Sequence, residues 1–393
     1  MTKRICIISF SPIARDARVL RQIKYLGPRH DLTVIGFGDA HPAWDDSPTI
    51  EWRPVIRQPS NWGVRLSELA LLTIAGYARP ASYEHWYWRR PHHHAALEHA
   101  SATPCDAYHA NDWEALPVAV EAARAHGAKV VFDAHEYSPL EFEDRRTWRL
   151  LYARPIIYFL RKYAPAVDAS TTVAPAIAER YRQEFGLDPA VVLNCPEKMD
   201  LQPRPVDPGC IRLIHHGMAQ RGRRLEIMIE AMALADPRYR LHLMLLGDPA
   251  YIGELQAQAG RVAPDRITFH PPVSPAEIGG RIAEFDMGIF ILPPVNFNWT
   301  VALPNKLFDY INAGLATCIG PSPEMARLVR EYRCGVVAPS FDPPEVAAAL
   351  NALRPEDIHA MKLGSVLARE TLNAQVEMGK AVDLYGRLLG EAA

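Results

Sequence analysis

Only six of the 393 residues are cysteine, and Cys6, Cys105, Cys195, Cys210, Cys318 and Cys334 are scattered with no CxxC pair among them. That spacing excludes a zinc knuckle and a dithiol motif. Buried, reduced thiols in a reducing compartment are expected instead. A dominant charge sign is also missing. Lys and Arg number 43 against 45 Asp and Glu, a formal net charge of −2, which argues against a protein built mainly to hold nucleic acid. No stretch reaches about 18 apolar residues, so no membrane-spanning helix is expected. The apolar run in MTKRICIISF breaks at Ser11-Pro12 and meets Arg15, Asp16 and Arg18; it is too short for a secretory signal and reads as a first strand. Neither a Ser–His–Asp hydrolase elbow nor a full Walker phosphate loop occurs. What remains is a globular balance, 49% hydrophobic and 22% charged, in a length suited to two or three domains.

Short apolar runs alternate with amphipathic helical windows. Residues 4–10, 32–37, 106–109, 129–133 and 169–173 read as strands, and 14–25, 64–77, 83–100, 114–125 and 175–185 as helices. Continuous rather than alternating apolar runs mark strands covered on both faces, and repeated strand–helix units imply a parallel sheet. Pro196, Pro203, Pro205 and Pro208-Gly209 interrupt this pattern, placing a linker at 195–209. It then restarts, with strands at 211–215, 241–246, 267–270, 287–292 and 315–319 and helices at 225–235, 275–285, 305–313 and 324–332. The chain therefore reads as α/β, two doubly wound domains in tandem. Ligands of such sheets bind beyond the carboxyl ends of the strands, and a cleft shared by two sheets is the default site.

The strongest local signal is Leu303-Pro-Asn-Lys-Leu-Phe-Asp-Tyr310 followed by Ile-Asn-Ala-Gly-Leu-Ala316. Pro304 suits a first helical turn. Asn305 and Lys306 then fall where free backbone N–H groups attract anions. The Lys306 charge suits a diphosphate, and Asp309, one turn on, could accept hydrogen bonds from ribose hydroxyls. The second signal is His215-His-Gly-Met-Ala-Gln-Arg-Gly-Arg-Arg224. Gly217 would let backbone approach a ligand closely, and among the arginines Arg221 is favoured as the phosphate contact. His215 and His216, neighbours on a strand, are read as separate packing residues. In the first half, His109 leads into Asn111 and Asp112, and Asp133 leads into His135 and Glu136. These polar, proton-handling groups end two strands.

Other features read as structural. Pro91-His-His-His94 is expected to be an exposed turn rather than a zinc site, because consecutive side chains diverge. Glu141-Phe-Glu-Asp144 does not end an apolar strand, as a metal–diphosphate site should. Residues 145–163 mix Arg and Lys with Trp, Tyr and Leu; they could lie on a membrane surface, although a helix packed on its sheet is favoured.

These segments together resemble retaining GT-B glycosyltransferases, close to glycosyltransferase family 4, over nearly the whole chain. The resemblance rests on Asp16-Ala-Arg-Val-Leu-Arg21, Asp106–Asp112, Phe132–Glu136, Val191–Pro196, His216–Gly222 and above all Pro304–Tyr310 with Ala313-Gly-Leu315. It implies two Rossmann-like domains facing an interdomain cleft: 1–200 on the acceptor side, 208–374 for the donor, and a helix at 375–393 crossing back. It implies that Arg221 and Lys306 neutralise the donor diphosphate, that Asp309 holds the ribose, and that Gly217 and Asn305 line the donor. His109, Asp112, His135 and Glu136 would face the transferred sugar or the acceptor hydroxyl. No metal and no cofactor beyond the nucleotide-diphosphate sugar is expected. The expected partners are that donor and a glycan or lipid-linked acceptor, at a cytoplasmic location with contact at the inner face of the plasma membrane left open. Val301 stands where many members carry a first glutamate, Asn111 where many carry a second histidine, and the early arginine of the phosphate loop is replaced around Met218. A GT-B-fold sugar-nucleotide epimerase and a non-catalytic sugar-binding relative are the alternatives.

Overall fold

The computed structural model describes residues 2–44, 47–57, 68–69, 71–75 and 79–391. The chain divides into two compact units. The first comprises Met1–Val192, Asn296–Asn298 and Met378–Ala393; the second comprises Leu193–Val295 and Trp299–Glu377. The sequence had set the first boundary later, at 200–208. No helix or strand lies between Val191 and Ile211, the stretch that holds the prolines.

The first unit is built on β1 (Lys3–Pro12), β2 (His30–Phe37), β3 (Ile50–Pro54), β4 (Ala107–Asn111), β5 (Lys129–Asp133), β6 (Ala169–Thr172) and β7 (Ala190–Val191). Their order is β3-β2-β1-β4-β5-β6-β7, and each pairing is parallel. Ile5, Ile7, Val34 and Val131 of the sheet pack with Val19 and Ile23 of the helix Ala17–Leu26 and with Tyr385. Strand order reverses between β1 and β4, which is where a doubly wound sheet opens a crevice at its carboxyl ends.

The second unit repeats the plan. Its strands are β8 (Ile211–Ala219), β9 (Tyr239–Gly247), β10 (Ile267–His270), β11 (Met287–Phe290), β12 (Ala316–Ile319) and β13 (Gly335–Val337), in the order β10-β9-β8-β11-β12-β13. Here the reversal falls between β8 and β11. Leu213, Leu243, Ile289 and Cys318 form the sheet's share of the core, beneath Met228 and Val346.

Two expectations change. The helix read at 64–77 lies largely outside the described residues; within it, Leu71–Ala75 is a helical turn. Pro91–His94 is not an exposed turn but the start of the helix Pro91–Ser101, with His92 and His93 buried. Proline at the first helical position begins a helix as well as it bends a loop, and the helix expected at 83–100 is divided here into Ser82–Trp88 and Pro91–Ser101. Five of the six cysteines are buried, and Cys210 is partly exposed. Among the described residues no helix is long and apolar enough to cross a membrane.

Candidate functional site

In the second unit β8 delivers His215, His216 and Gly217 to the switch point. Gly217 has φ 111°, and a Cβ there would lie 2.9 Å from Lys306 Nζ. Glycine is therefore what lets the ammonium lie against the loop backbone. Lys306 starts from the first turn of the helix Asn305–Asn312, behind Pro304, and its Nζ sits 5.3 Å from the centre of the Phe290 ring at the end of β11. Asp309, one turn on, brings Oδ2 to 3.5 Å from His216 Nε2. Asn305 is exposed at the helix start.

Electrostatics mark this cluster. Burial, aided by the Arg223 charge and opposed by Asp309, lowers the Lys306 pKa to about 7. Burial and Lys306 lower that of His216 to about 3, so its ring is neutral at physiological pH. His215 donates Nδ1–H to the Ile289 carbonyl at 3.0 Å and is likewise held neutral, mainly by burial. An ammonium half-deprotonated near pH 7 and a guanidinium close enough to repel it make a site short of negative charge.

Arg221 is not the second cation of this cluster, which corrects the sequence reading. It is 62% exposed, forks onto Glu254 at 2.6 and 2.7 Å, and lies over the Tyr251 ring at 4.6 Å. Arg221–Arg223 form a tight helical turn closed by Arg224 at φ 49°. In that turn it is Arg223, partly buried, whose charge acts on Lys306.

In the first unit the carboxyl ends of β1, β4 and β5 gather a second set. Asp16 caps the helix Ala17–Leu26 by accepting from the backbone N–H groups of Arg18 and Val19. Arg18, with 12% of its side chain exposed, reaches Asp112 at 2.8 Å and Asp133 at 3.6 Å. Asp112 adopts φ 62°, a backbone conformation that a non-glycine residue adopts at some cost. It is held below the usual carboxylate range by Arg18. Burial and the nearby Asp112 raise Glu136 to about 7, and burial with Asp112 and Glu136 raises Glu141 to about 8. Both can therefore carry a proton at neutral pH and give it up, the property a general acid or base requires. His135 is pulled down to about 4 by burial and Arg18, and its Nδ1 lies 3.7 Å from Glu136.

His109 does not join this set. It is 3% exposed, its Nδ1 is 2.6 Å from the Tyr385 hydroxyl, and burial draws its pKa to about 3. Register explains the correction: His109 pairs with Ile7 two residues before β4 ends, on the face covered by the helix Ala374–Leu389. Three residues were missed. Arg18 stands inside the quoted Asp16–Arg21 segment, so its signal was present. Arg223 was one of three equivalent arginines. Glu141 was set aside because it ends no strand.

The family model of Glycosyltransferase Family 4 matches residues 17–209. A search of curated proteins finds no match. Among solved structures, HepE of Anabaena in complex with UDP and glucose aligns at TM-score 0.71 and 15% identity, covering 98% of this chain and 100% of its own. Sucrose-phosphate synthase from Thermosynechococcus elongatus aligns at 0.69 and 12%, covering 99% of each. WaaG, a glycosyltransferase involved in lipopolysaccharide biosynthesis, aligns at 0.61 and 13%, covering 97% and 99%. The chain has the GT-B fold, two Rossmann-like α/β units, and is similar to glycosyltransferases of family 4.

Proposed function

We propose that this glycosyltransferase-like chain moves a hexosyl group, with retention, from a nucleotide-diphosphate donor to an acceptor hydroxyl. The observation that carries the proposal is Lys306, laid against Gly217 at the strand-order reversal with Arg223 acting on it. Breaking the bond at the anomeric carbon builds negative charge on the departing diphosphate. Fixed cations stabilise that charge more than they stabilise the bound donor, and this difference is what accelerates the step. In this reading Lys306 and Arg223 neutralise the diphosphate in place of a divalent metal, Asp309 takes the ribose, and Asn305 with its backbone touches the diphosphate or the sugar. Asp112, His135, Glu136 and Glu141 serve the sugar and the acceptor in the first unit. The uridine nucleotides in the HepE complexes favour a UDP-hexose donor. The likeness to WaaG, which is involved in lipopolysaccharide biosynthesis, favours a lipid-linked or surface-polysaccharide acceptor.

Isothermal titration with UDP tests the donor site. The wild-type chain is expected to bind, and Arg223→Ala to weaken binding by about 10–100-fold, the usual cost of losing a hydrogen bond to a charged group. Arg221→Ala should stay within about twofold, because its exposed pair with Glu254 contributes little. The reverse ranking would return the role to Arg221, and no UDP binding would remove the donor site.

The pH dependence has a definite sign. Lys306 is charged below about pH 7 in the free protein, so UDP affinity should fall as pH rises through that value, by about tenfold per unit for one linked proton. Binding is the right measurement, since Glu136 and Glu141 titrate in the same range and would distort a rate profile. An affinity that does not change between pH 6 and 9 would show that the Lys306 charge plays no part.

A further inference from the structure

We propose that His92, His93 and Glu114 form a site for one divalent transition-metal ion of the zinc class, which fixes the helix that begins at Asp112. Among the described residues this is the one group of three His, Cys, Asp or Glu side chains whose ligand atoms all lie within 4.8 Å of one another. His92 and His93 come from the first turn of the helix Pro91–Ser101, and Glu114 from the first turn of the helix Asp112–His126. Glu114 Oε1 is 3.1 Å from His93 Nε2 and 3.9 Å from His92 Nε2. A tetrahedral zinc ion with bonds of about 2.0–2.2 Å separates its ligands by about 3.3–3.6 Å, between those two distances.

The protonation pattern points the same way. His93 Nδ1 lies 2.8 Å from the Tyr87 carbonyl oxygen, which can only accept, so the Nδ1 proton is committed there. In the neutral ring Nε2 then carries a lone pair, and it faces a carboxylate oxygen, a second acceptor. At 3.1 Å the two atoms share either a proton or a metal ion, and the approach of His92 Nε2 to the same carboxylate oxygen favours the ion. An Nδ1–H to carbonyl bond is also the usual outer support of a metal-binding histidine. The rings are held in place: His93 is fully buried and stacks on Tyr87 at 3.8 Å, and Phe10 packs against both histidines at 5.5 and 4.9 Å.

Arg90 is the rival occupant. Its Nη1 is 3.3 Å from the same Glu114 oxygen, its Nε is 3.3 Å from Glu68, and it lies over Trp86 at 4.3 Å. A guanidinium satisfies one lone pair of Glu114 but only donates, so it leaves the convergence of the two Nε2 atoms unexplained. With Arg90 retained on Glu68 and Trp86, an ion held by the three side chains keeps its fourth position for water. Such an ion would tie the two helices together beside Asp112, whose backbone has φ 62°.

The full-length protein, stripped with a chelator, is titrated with Co²⁺. The expected result is one equivalent bound, with visible ligand-field bands of a tetrahedral ion and a higher melting temperature. His93→Ala and Glu114→Gln should weaken binding by at least about tenfold, while His94→Ala, at an exposed position of the same turn, should leave it unchanged. Should His93→Ala fail to fold, His92→Gln and Glu114→Gln, checked by circular dichroism, carry the test. No Co²⁺ binding, or equal binding by a folded His92→Gln/Glu114→Gln variant, overturns the proposal in favour of the Arg90 ion-pair network.

Discussion

Lys306→Ala is expected to lower kcat/KM by about 10²–10³-fold, the range seen when one fixed donor to a developing negative charge is removed. The fold should survive. Alanine is the best helix former, so the first turn of the helix Asn305–Asn312 tolerates it. The stability consequence also has a sign. Burial lowers the Lys306 pKa from 10.5 to about 7, so between those values the unfolded chain binds more protons than the folded one. Stability contributed at this position therefore rises with pH across that window, and the charged lysine is a liability at and below pH 7. The alanine variant should melt at the same temperature as the wild type or higher. A folded variant that turns over any donor–acceptor pair at the wild-type rate would remove Lys306 from the mechanism.

Lys362→Ala is expected to destabilise the protein by about 3–5 kcal/mol, the cost of breaking one side of a buried ion pair. Lys362 Nζ lies 3.4 Å from Asp286 Oδ1, and both side chains are 1% exposed. Asp286 just precedes β11; its Oδ2 accepts the Arg212 backbone N–H of β8 at 2.9 Å and lies 3.6 Å from Arg212 Nε. Lys362 comes from the helix Pro355–Ala368, so the pair joins that helix to the two strands flanking the switch point. Removing the ammonium strands a carboxylate in the interior, with Arg212 as its remaining cation. The double variant Asp286→Asn/Lys362→Met, which removes both charges, should recover much of the loss, because well-packed neutral groups often replace a buried pair at little cost. Urea unfolding measures both. A single-variant loss below about 1 kcal/mol would show that water reaches the pair.

Particular residues show where the sequence was informative. Strands β1, β2 and β5 could be located because side chains buried on both faces leave a run such as Ile5-Cys-Ile-Ile8 with no polar interruption. Lys306 and Asp309 could be placed because Pro304 fixes a helix start and helical spacing does the rest. His109 could not. Its position in the strand was legible, but which sheet face the final helix would cover depends on Tyr385, 276 residues away. Glu141 reaches Asp112 and Glu136 through a loop with no periodicity to follow. As neighbours in an exposed turn His92 and His93 are expected to diverge; in a first helical turn their rings lie 4.3 Å apart.

By itself the sequence determined the two α/β halves, the linker between them, and the helix start that carries Lys306. These depend on local propensity and on hydrophobic period, both properties of neighbouring residues. Tertiary structure alone decided that Arg223 rather than Arg221 stands by Lys306, that His109 is sealed beneath Tyr385, and that Glu114 meets two histidines. Each of those outcomes depends on where one side chain points relative to a distant segment, and pair distances across the fold are set by packing, which no local pattern encodes.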